Sequence, residues 1–189
     1  MEAAELRMNA APQRLLTPRR VLWTVALVSL AAHLWVMAST CLVIENDGID
    51  YLSTAVTHLR DAYQISRFRT PGYPLFLYAC FKLFGVGAFG IMLVQHLCAA
   101  ITPVLVTRIS LKVAPAPLAL ASGLFCALDP TLALFGSVMQ TECVTIFLFV
   151  LACTLAMFCD RRPILTALAL GAVLGFAVLV RPTFQVVVP

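Results

Sequence analysis

The sequence predicts an all-α protein, a polytopic bundle of about five transmembrane helices with amphipathic helices in its first extracytoplasmic loop. Hydrophobic residues make up 61% of the 189 positions and charged residues only 12%, whereas a soluble domain has about 45–50% and about 25%. Several uncharged apolar runs also reach the roughly 18 residues that mark a membrane span. A soluble globular domain is therefore excluded. The scattered basic residues and the net charge of only +4 argue against a nucleic-acid partner.

The chain divides into a short polar tail and a long apolar remainder. Residues 1–20 form the predicted cytoplasmic tail, and residues 21–189 form the predicted transmembrane domain. The first span is expected at 21–44, a run without charge that is too long for the core of a signal peptide, which has about 7–15 residues. We therefore expect an uncleaved signal anchor.

Residues 45–87 form the predicted extracytoplasmic loop between the first two spans. Its last part, 73–83, is apolar but too short to cross a bilayer and contains Lys82, so we expect a helix that lies in the interface. A glycine-rich stretch then supplies a break before the next span. The remaining spans are predicted at 88–107, 114–128, 143–159 and 164–180.

The charges alternate between the two predicted sides of the membrane. Most basic residues outside the first loop fall on the side of the amino terminus, so the positive-inside rule places that terminus in the cytoplasm. Six acidic residues fall on the opposite, outer side: Glu45, Asp47, Asp50, Asp61, Asp129 and Glu142. Any chemistry of the protein is therefore expected on the extracytoplasmic face.

A helix is predicted from residue 46 onward, and it has two contrasting faces. One face carries side chains that suit an active site, at helical intervals: Asp47, Tyr51, Thr54 and His58. The opposite face is apolar and can rest on the membrane surface: Ile49, Leu52, Val56 and Leu59. The alternative is that Asp47 only caps the helix and the other polar groups are solvated.

A rigid basic turn follows this helix, with the sequence R-F-R-T-P-G-Y-P at 67–74. Two prolines and a glycine would hold Arg69 at the membrane surface, where its guanidinium could bind a lipid phosphate through paired hydrogen bonds. The alternative is that the arginines only extend toward anionic head groups.

Two further charged residues stand at the outer ends of predicted spans. Glu142 lies in Q-T-E at one edge and is either functional or a helix cap, because ionisable residues near a span are functional candidates. Arg181 follows the last span and either faces a phosphate or anchors the helix. Within that span, Gly171 and Gly175 form a G-x-x-x-G pattern, which predicts a smooth face for close helix packing.

Several motifs in order resemble a known family. D-G-I-D-Y-L-S-T-A, R-T-P-G-Y-P-L-F-L, the helix around Gln95, L-D-P, Q-T-E and V-L-V-R-P-T are similar to the amino-terminal half of polyprenyl-phosphate-dependent glycosyltransferases of the GT-C superfamily. The nearest likeness is to bacterial relatives of protein O-mannosyltransferases and of the lipid A aminoarabinose transferase. The resemblance spans about 21–189.

The resemblance implies an activity and a location. A sugar would move from a polyprenyl-phosphate carrier to a hydroxyl of a lipid, glycan or protein acceptor, on the outer face of a bacterial inner membrane. Asp47 matches the essential aspartate of the first loop, Asp50 is the second catalytic candidate, and the family's usual acidic pair is replaced here by Asp47 and Gly48. The expected substrate-binding residues are Tyr51, His58, Arg67, Arg69, Tyr73, Glu142 and Arg181.

These motifs specify neither a metal cofactor nor the full number of spans. No ligand spacing predicts a metal site, although Asp47 and Glu142 together could hold a divalent ion. Family members usually have more spans than this chain, so an incomplete or non-catalytic protein that binds a lipid-linked sugar or a partner helix bundle is the competing hypothesis.

Overall fold

The computed structural model describes residues 16–60, 69–159 and 163–183, and the regular structure within these ranges is helical. The helices are α1 (Pro18–Ser39), α2 (Asn46–Arg60), α3 (Gly72–Phe84), α4 (Ala88–Val113), α5 (Ala116–Ala127), α6 (Pro130–Phe135), α7 (Glu142–Met157) and α8 (Pro163–Val180). The predicted all-α class is therefore confirmed.

Three of these helices, α1, α4 and α8, are long and apolar enough to cross a bilayer, with 22, 26 and 18 residues. Large apolar side chains also point away from the bundle, since Trp35, Phe125 and Ile164 are 71, 83 and 77% exposed. Water would disfavour such a surface, whereas lipid tails would not. The chain is an integral membrane protein.

Helix α1 runs antiparallel to α4, and α5 packs beside both. The Ser29 hydroxyl donates to the Ala100 carbonyl at 2.9 Å across the first pair. Gly123 lets α5 approach closely, because a Cβ there would lie 2.0 Å from Thr107 Oγ1 and 2.8 Å from Val25. The expected close packing at Gly171 and Gly175 is not observed, since a Cβ at either position would meet no described atom within 4 Å.

The third predicted span, 114–128, corresponds to α5, and the connection that follows it is also helical. Helix α5 has only 12 residues and is followed by α6, which begins where Asp129 accepts a hydrogen bond from the Thr131 amide at 2.9 Å. At its far end α6 reaches Gly136, which packs against His96. Asp129 and Gly136 stand at opposite ends of α6, about 9 Å apart for six helical residues. Asp129 and Pro130 thus begin a helix, where the sequence predicts only a connection between spans.

Helices α1 and α8 end at the same end of the bundle, and α7 begins there. We call this the Asp47 end. Helix α3 starts there, where Gly72 packs against the backbone of Leu179 and Val180. Gly85 (φ 83°) then separates α3 from α4, as the sequence predicts.

Helix α2 lies against the protein at the Asp47 end. Its apolar side chains Leu52, Val56 and Leu59 pack onto the core beside α3, and only Ile49 remains largely exposed, at 57%. The prediction that this whole face rests on the membrane surface is therefore wrong. Tyr51 and Ala55 lie outside that apolar face and are buried as well. Helix α2 therefore packs on the core through more of its surface than the apolar face alone.

Candidate active site

One guanidinium joins both candidate catalytic carboxylates. Arg69 Nη2 and Nη1 donate to the two oxygens of Asp47 at 2.5 and 3.3 Å, and Nε and Nη2 both donate to Asp50 Oδ2 at 3.3 Å. The two aspartates lie three residues apart in the first turn of α2, so they share one face. The carboxylates are about half exposed and Arg69 is less so. The cluster is therefore open to a ligand.

Two tyrosines in edge-to-face contact lie beneath this cluster. The Arg69 guanidinium lies 5.6 Å from the centre of the Tyr51 ring, and that ring meets Tyr73 edge to face at 5.0 Å. Tyr73 is fully buried and Tyr51 nearly so. Burial raises the pKa of the Tyr51 phenol above its ordinary value, although Arg69 opposes the shift. The phenol is therefore neutral near pH 7 and can only donate or accept hydrogen bonds.

A second ion pair lies on the same end of the bundle. Arg181 Nη1 donates to Glu142 Oε1 at 3.0 Å, which joins the end of α8 to the start of α7. Both groups act electrostatically on Tyr51, as do Asp47 and Arg69. The structure thus brings the two ion pairs together around one tyrosine.

The turn after Arg69 is attached to α8. The Thr70 hydroxyl donates to the Val180 carbonyl at 2.9 Å, and Gly72 leaves room for the backbone at Leu179. Arg181 follows directly. These contacts explain why two arginines that are distant in sequence lie at the same edge.

The segment that carries Asp47 is attached to the turn between α6 and α7. The Val43 amide donates to the Ser137 carbonyl at 2.8 Å, and the Met139 amide donates to the Val43 carbonyl at 2.9 Å. Farther along, the side-chain amide of Gln140 donates to the Glu45 carboxylate. A cleft of about 440 Å³ opens here, and its lining residues are Glu45, Asn46, Asp47 and Gln140.

The other predicted site residues are placed less centrally. Thr54 donates its hydroxyl to the Asp50 carbonyl at 2.9 Å, within its own helix. His58 lies seven residues after Tyr51, about 10 Å along the helix axis, so it stands at the edge of the cluster. Arg67 lies outside the described residues.

The described part of the chain contains no group of three or more His, Cys, Asp or Glu side chains that could hold a metal ion. Asp47 and Glu142 each have an arginine partner instead. A divalent ion shared by these two carboxylates stays a prediction.

Two buried polar features were not assigned a role from the sequence. Gln95 is fully buried and bonded to Tyr73 and to the turn after α6. A chain of contacts also runs through His33, His96, Ser137 and Thr40. The sequence did contain a signal for both features, namely amide and imidazole groups inside apolar runs. Polar side chains in such runs usually form hydrogen bonds between helices.

Comparisons with known proteins support the resemblance. Residues 69–189 match the model of the dolichyl-phosphate-mannose-protein mannosyltransferase family, whose fold is of the GT-C type. The match includes Arg69, Tyr73, Glu142 and Arg181 and begins after Asp47 and Asp50. No curated protein and no solved structure matches the chain. Because the family model covers well over half of the sequence and the helical fold agrees with it, the chain belongs to the dolichyl-phosphate-mannose-protein mannosyltransferase family of membrane glycosyltransferases.

Proposed function

We propose that this protein transfers a sugar from a polyprenyl-phosphate carrier to an acceptor hydroxyl, with Asp47 as general base and Arg69 as the phosphate ligand. The observation that carries the proposal is the sharing of one guanidinium by Asp47 and Asp50 at an open end of the bundle. A base and an anion-binding group therefore stand side by side. Sugar transfer from a phosphate needs both.

Arg69 supplies the anion-binding half of the reaction. Its planar fork binds two oxygens at once, as the contacts with Asp47 show, and phosphate presents oxygens in the same geometry. Arg181, near the same tyrosine, gives a second positive charge. As the bond between the sugar and the phosphate breaks, these charges stabilise the phosphate that leaves.

Donor binding would also release the base. In the structure both oxygens of the Asp47 carboxylate accept hydrogen bonds from Arg69. A donor phosphate competes for the same nitrogens, so its binding would draw the guanidinium away from Asp47. The carboxylate could then take the proton of the acceptor hydroxyl while the hydroxyl oxygen bonds to the anomeric carbon. The base would thus become available only when a donor is bound.

The acceptor would approach through the cleft beside Asp47. The cleft holds the carboxylate of Glu45 and the amides of Asn46 and Gln140, groups that form hydrogen bonds with hydroxyls. Arg69 is not among its lining residues. Donor phosphate and acceptor would therefore approach from different directions, and direct displacement requires the hydroxyl to attack the anomeric carbon from the side opposite the phosphate.

The charge distribution supports an extracytoplasmic site. Arg108 and Lys112 lie at the opposite end of α4 from Gln95, and both contact the Phe158 ring, at 4.4 and 4.3 Å. Basic residues at membrane ends favour the cytoplasmic side. With that orientation the Asp47 end would face the outside of a bacterial inner membrane.

The test is transfer of labelled sugar from undecaprenyl-phosphate carriers by membranes that contain the chain. The parent should turn over, Asp47→Asn should lose most activity, and Asp129→Asn should retain it, because Asp129 caps α6 away from the site. Equal turnover by all three would contradict the proposal. Donor binding without turnover by the parent would instead support a non-catalytic lipid-linked sugar binder.

A further inference from the structure

Gln95 is a fully buried amide in the apolar helix α4, and its side chain is bonded on two sides. Its Oε1 accepts from the Tyr73 hydroxyl at 2.6 Å, and its Nε2 donates to the carbonyls of Gly136 at 3.1 Å and Val138 at 3.0 Å. A glutamine has one acceptor oxygen and two N–H donors, so both ends are used. Leaving such groups unbonded in a core is costly.

The Nε2 side holds the turn that carries the Asp47 segment. Val138 forms the backbone bridge with Val43, and Val43 lies four residues before Asp47. Gly48 lies against the same turn, because a Cβ there would come within 2.9 Å of the Met139 carbonyl oxygen. Moving this turn would therefore move the backbone on both sides of Asp47.

The Oε1 side holds the tyrosines beneath Arg69. Tyr73 is fixed by its bond to Gln95, and its ring supports Tyr51, whose ring faces the Arg69 guanidinium. One amide thus connects the element that carries the carboxylate with the element that carries the guanidinium. The Arg69–Asp47 ion pair and the Tyr51–Tyr73 contact join the same two elements directly, and Gln95 links them from within the core.

We infer that Gln95 is a positioning residue that sets the distance between the Asp47 carboxylate and the Arg69 guanidinium. The inference rests on the proposed function and adds a residue that touches neither substrate nor reacting atoms. Because catalysis depends on geometry at the scale of 1 Å, loss of this link is expected to lower kcat by about 100-fold. Donor KM should change by less than about threefold, since Arg69 itself remains.

The first experiment compares kcat and donor KM for the full chain with those of Gln95→Met, Tyr73→Phe and Ser29→Ala. Methionine fills a similar volume without hydrogen-bonding groups, and Tyr73→Phe removes only the Oε1 bond, so it should lose less kcat than Gln95→Met. Ser29→Ala is the control, because it removes a buried helix-to-helix bond far from Asp47. It should leave kcat unchanged.

A second measurement is independent of turnover. Cysteines introduced as Val43→Cys and Val138→Cys, in a Cys41→Ser background, report how well the bridge is held through their rate of oxidative cross-linking. Gln95→Met should slow cross-linking several-fold and Ser29→Ala should not. If the parent shows no turnover but the cross-linking rates follow this order, the proposed function fails while the positional link stands.

Unchanged cross-linking and unchanged kcat in folded Gln95→Met would overturn the inference. If Gln95→Met does not fold, Gln95→Glu decides, because it keeps an oxygen toward Tyr73 and has at most one O–H donor in place of the two N–H donors to Gly136 and Val138. Fast cross-linking in Gln95→Glu would then contradict a role for the Nε2 bonds.

Discussion

Arg69 and Asp47, 22 residues apart, form a two-point ion pair with N–O distances of 2.5 and 3.3 Å. The pair closes the loop between α1 and α3 onto itself at the end of the bundle. It also places an anion-binding group directly on the candidate base, so each residue affects the availability of the other.

Asp47→Asn should lower kcat by about 10²–10⁴-fold, the usual contribution of a general base. Asn keeps one oxygen for Arg69 but accepts a proton poorly. Asp50→Asn is the matched comparison, since Asp50 accepts from Arg69 through only one oxygen. Single-turnover rates would check the difference, and equal losses in the two variants would argue that neither is the specific base.

Arg69→Lys should raise donor KM by at least tenfold, although the positive charge is kept. A lysine cannot bind two oxygens with a planar fork, so it would hold neither both oxygens of Asp47 nor a phosphate. Binding of polyprenyl phosphate measured by competition with the labelled donor tests this. If Lys restored the affinity that Arg69→Ala loses, charge alone would be sufficient and the forked geometry would be irrelevant.

Arg181→Gln should raise donor KM by roughly tenfold, because a charge-assisted hydrogen bond contributes about 1.5–3 kcal/mol and this arginine is partly exposed. Glu142→Gln should have the smaller effect on KM. In thermal unfolding, a double-mutant cycle over the pair should give a coupling of only about 0.2–1 kcal/mol. An unchanged KM in Arg181→Gln would show that the residue only anchors α8.

Gly72→Ala should destabilise the protein by about 1–3 kcal/mol through overpacking. Its Cβ would lie 2.4 and 2.5 Å from the backbone of Leu179 and Val180, which cannot move aside as a side chain can. Gly175→Ala is the control in an open position of α8, where alanine should be neutral or stabilising by up to about 1 kcal/mol. Thermal unfolding in detergent measures both changes, and similar midpoints for the two variants would contradict the close contact.

Tyr51→Phe should fold normally, because the ring that packs between Tyr73 and Arg69 is kept. Tyr51→Ala should cost about 3–5 kcal/mol, as is typical when a large buried ring is removed. Comparing their unfolding midpoints tests whether the ring supports the cluster. A large loss in Tyr51→Phe would show that the hydroxyl carries the stability.

The helices could be predicted largely from local patterns, but some of their boundaries could not. Asp129 and Pro130 suggested a connection between two spans, because proline interrupts a helix. The same pair begins a helix equally well, with Asp as the cap and Pro in the first turn, and the structure uses it in that way. The G-x-x-x-G pattern failed for a similar reason. A small residue permits close packing, but only a neighbouring helix makes use of it, as at Gly123.

The sequence by itself determined that the protein is a helical membrane protein, since apolar run length and charge spacing decide which segments leave water. It also identified Asp47, Asp50 and Arg69 as individual candidates. Only the tertiary structure decided that one guanidinium joins both carboxylates, that Tyr51 is buried beneath them, and that Gln95 connects the two sides. The physical reason is that these contacts join residues 19 to 43 positions apart, and a local pattern contains no information on which distant segments pack together.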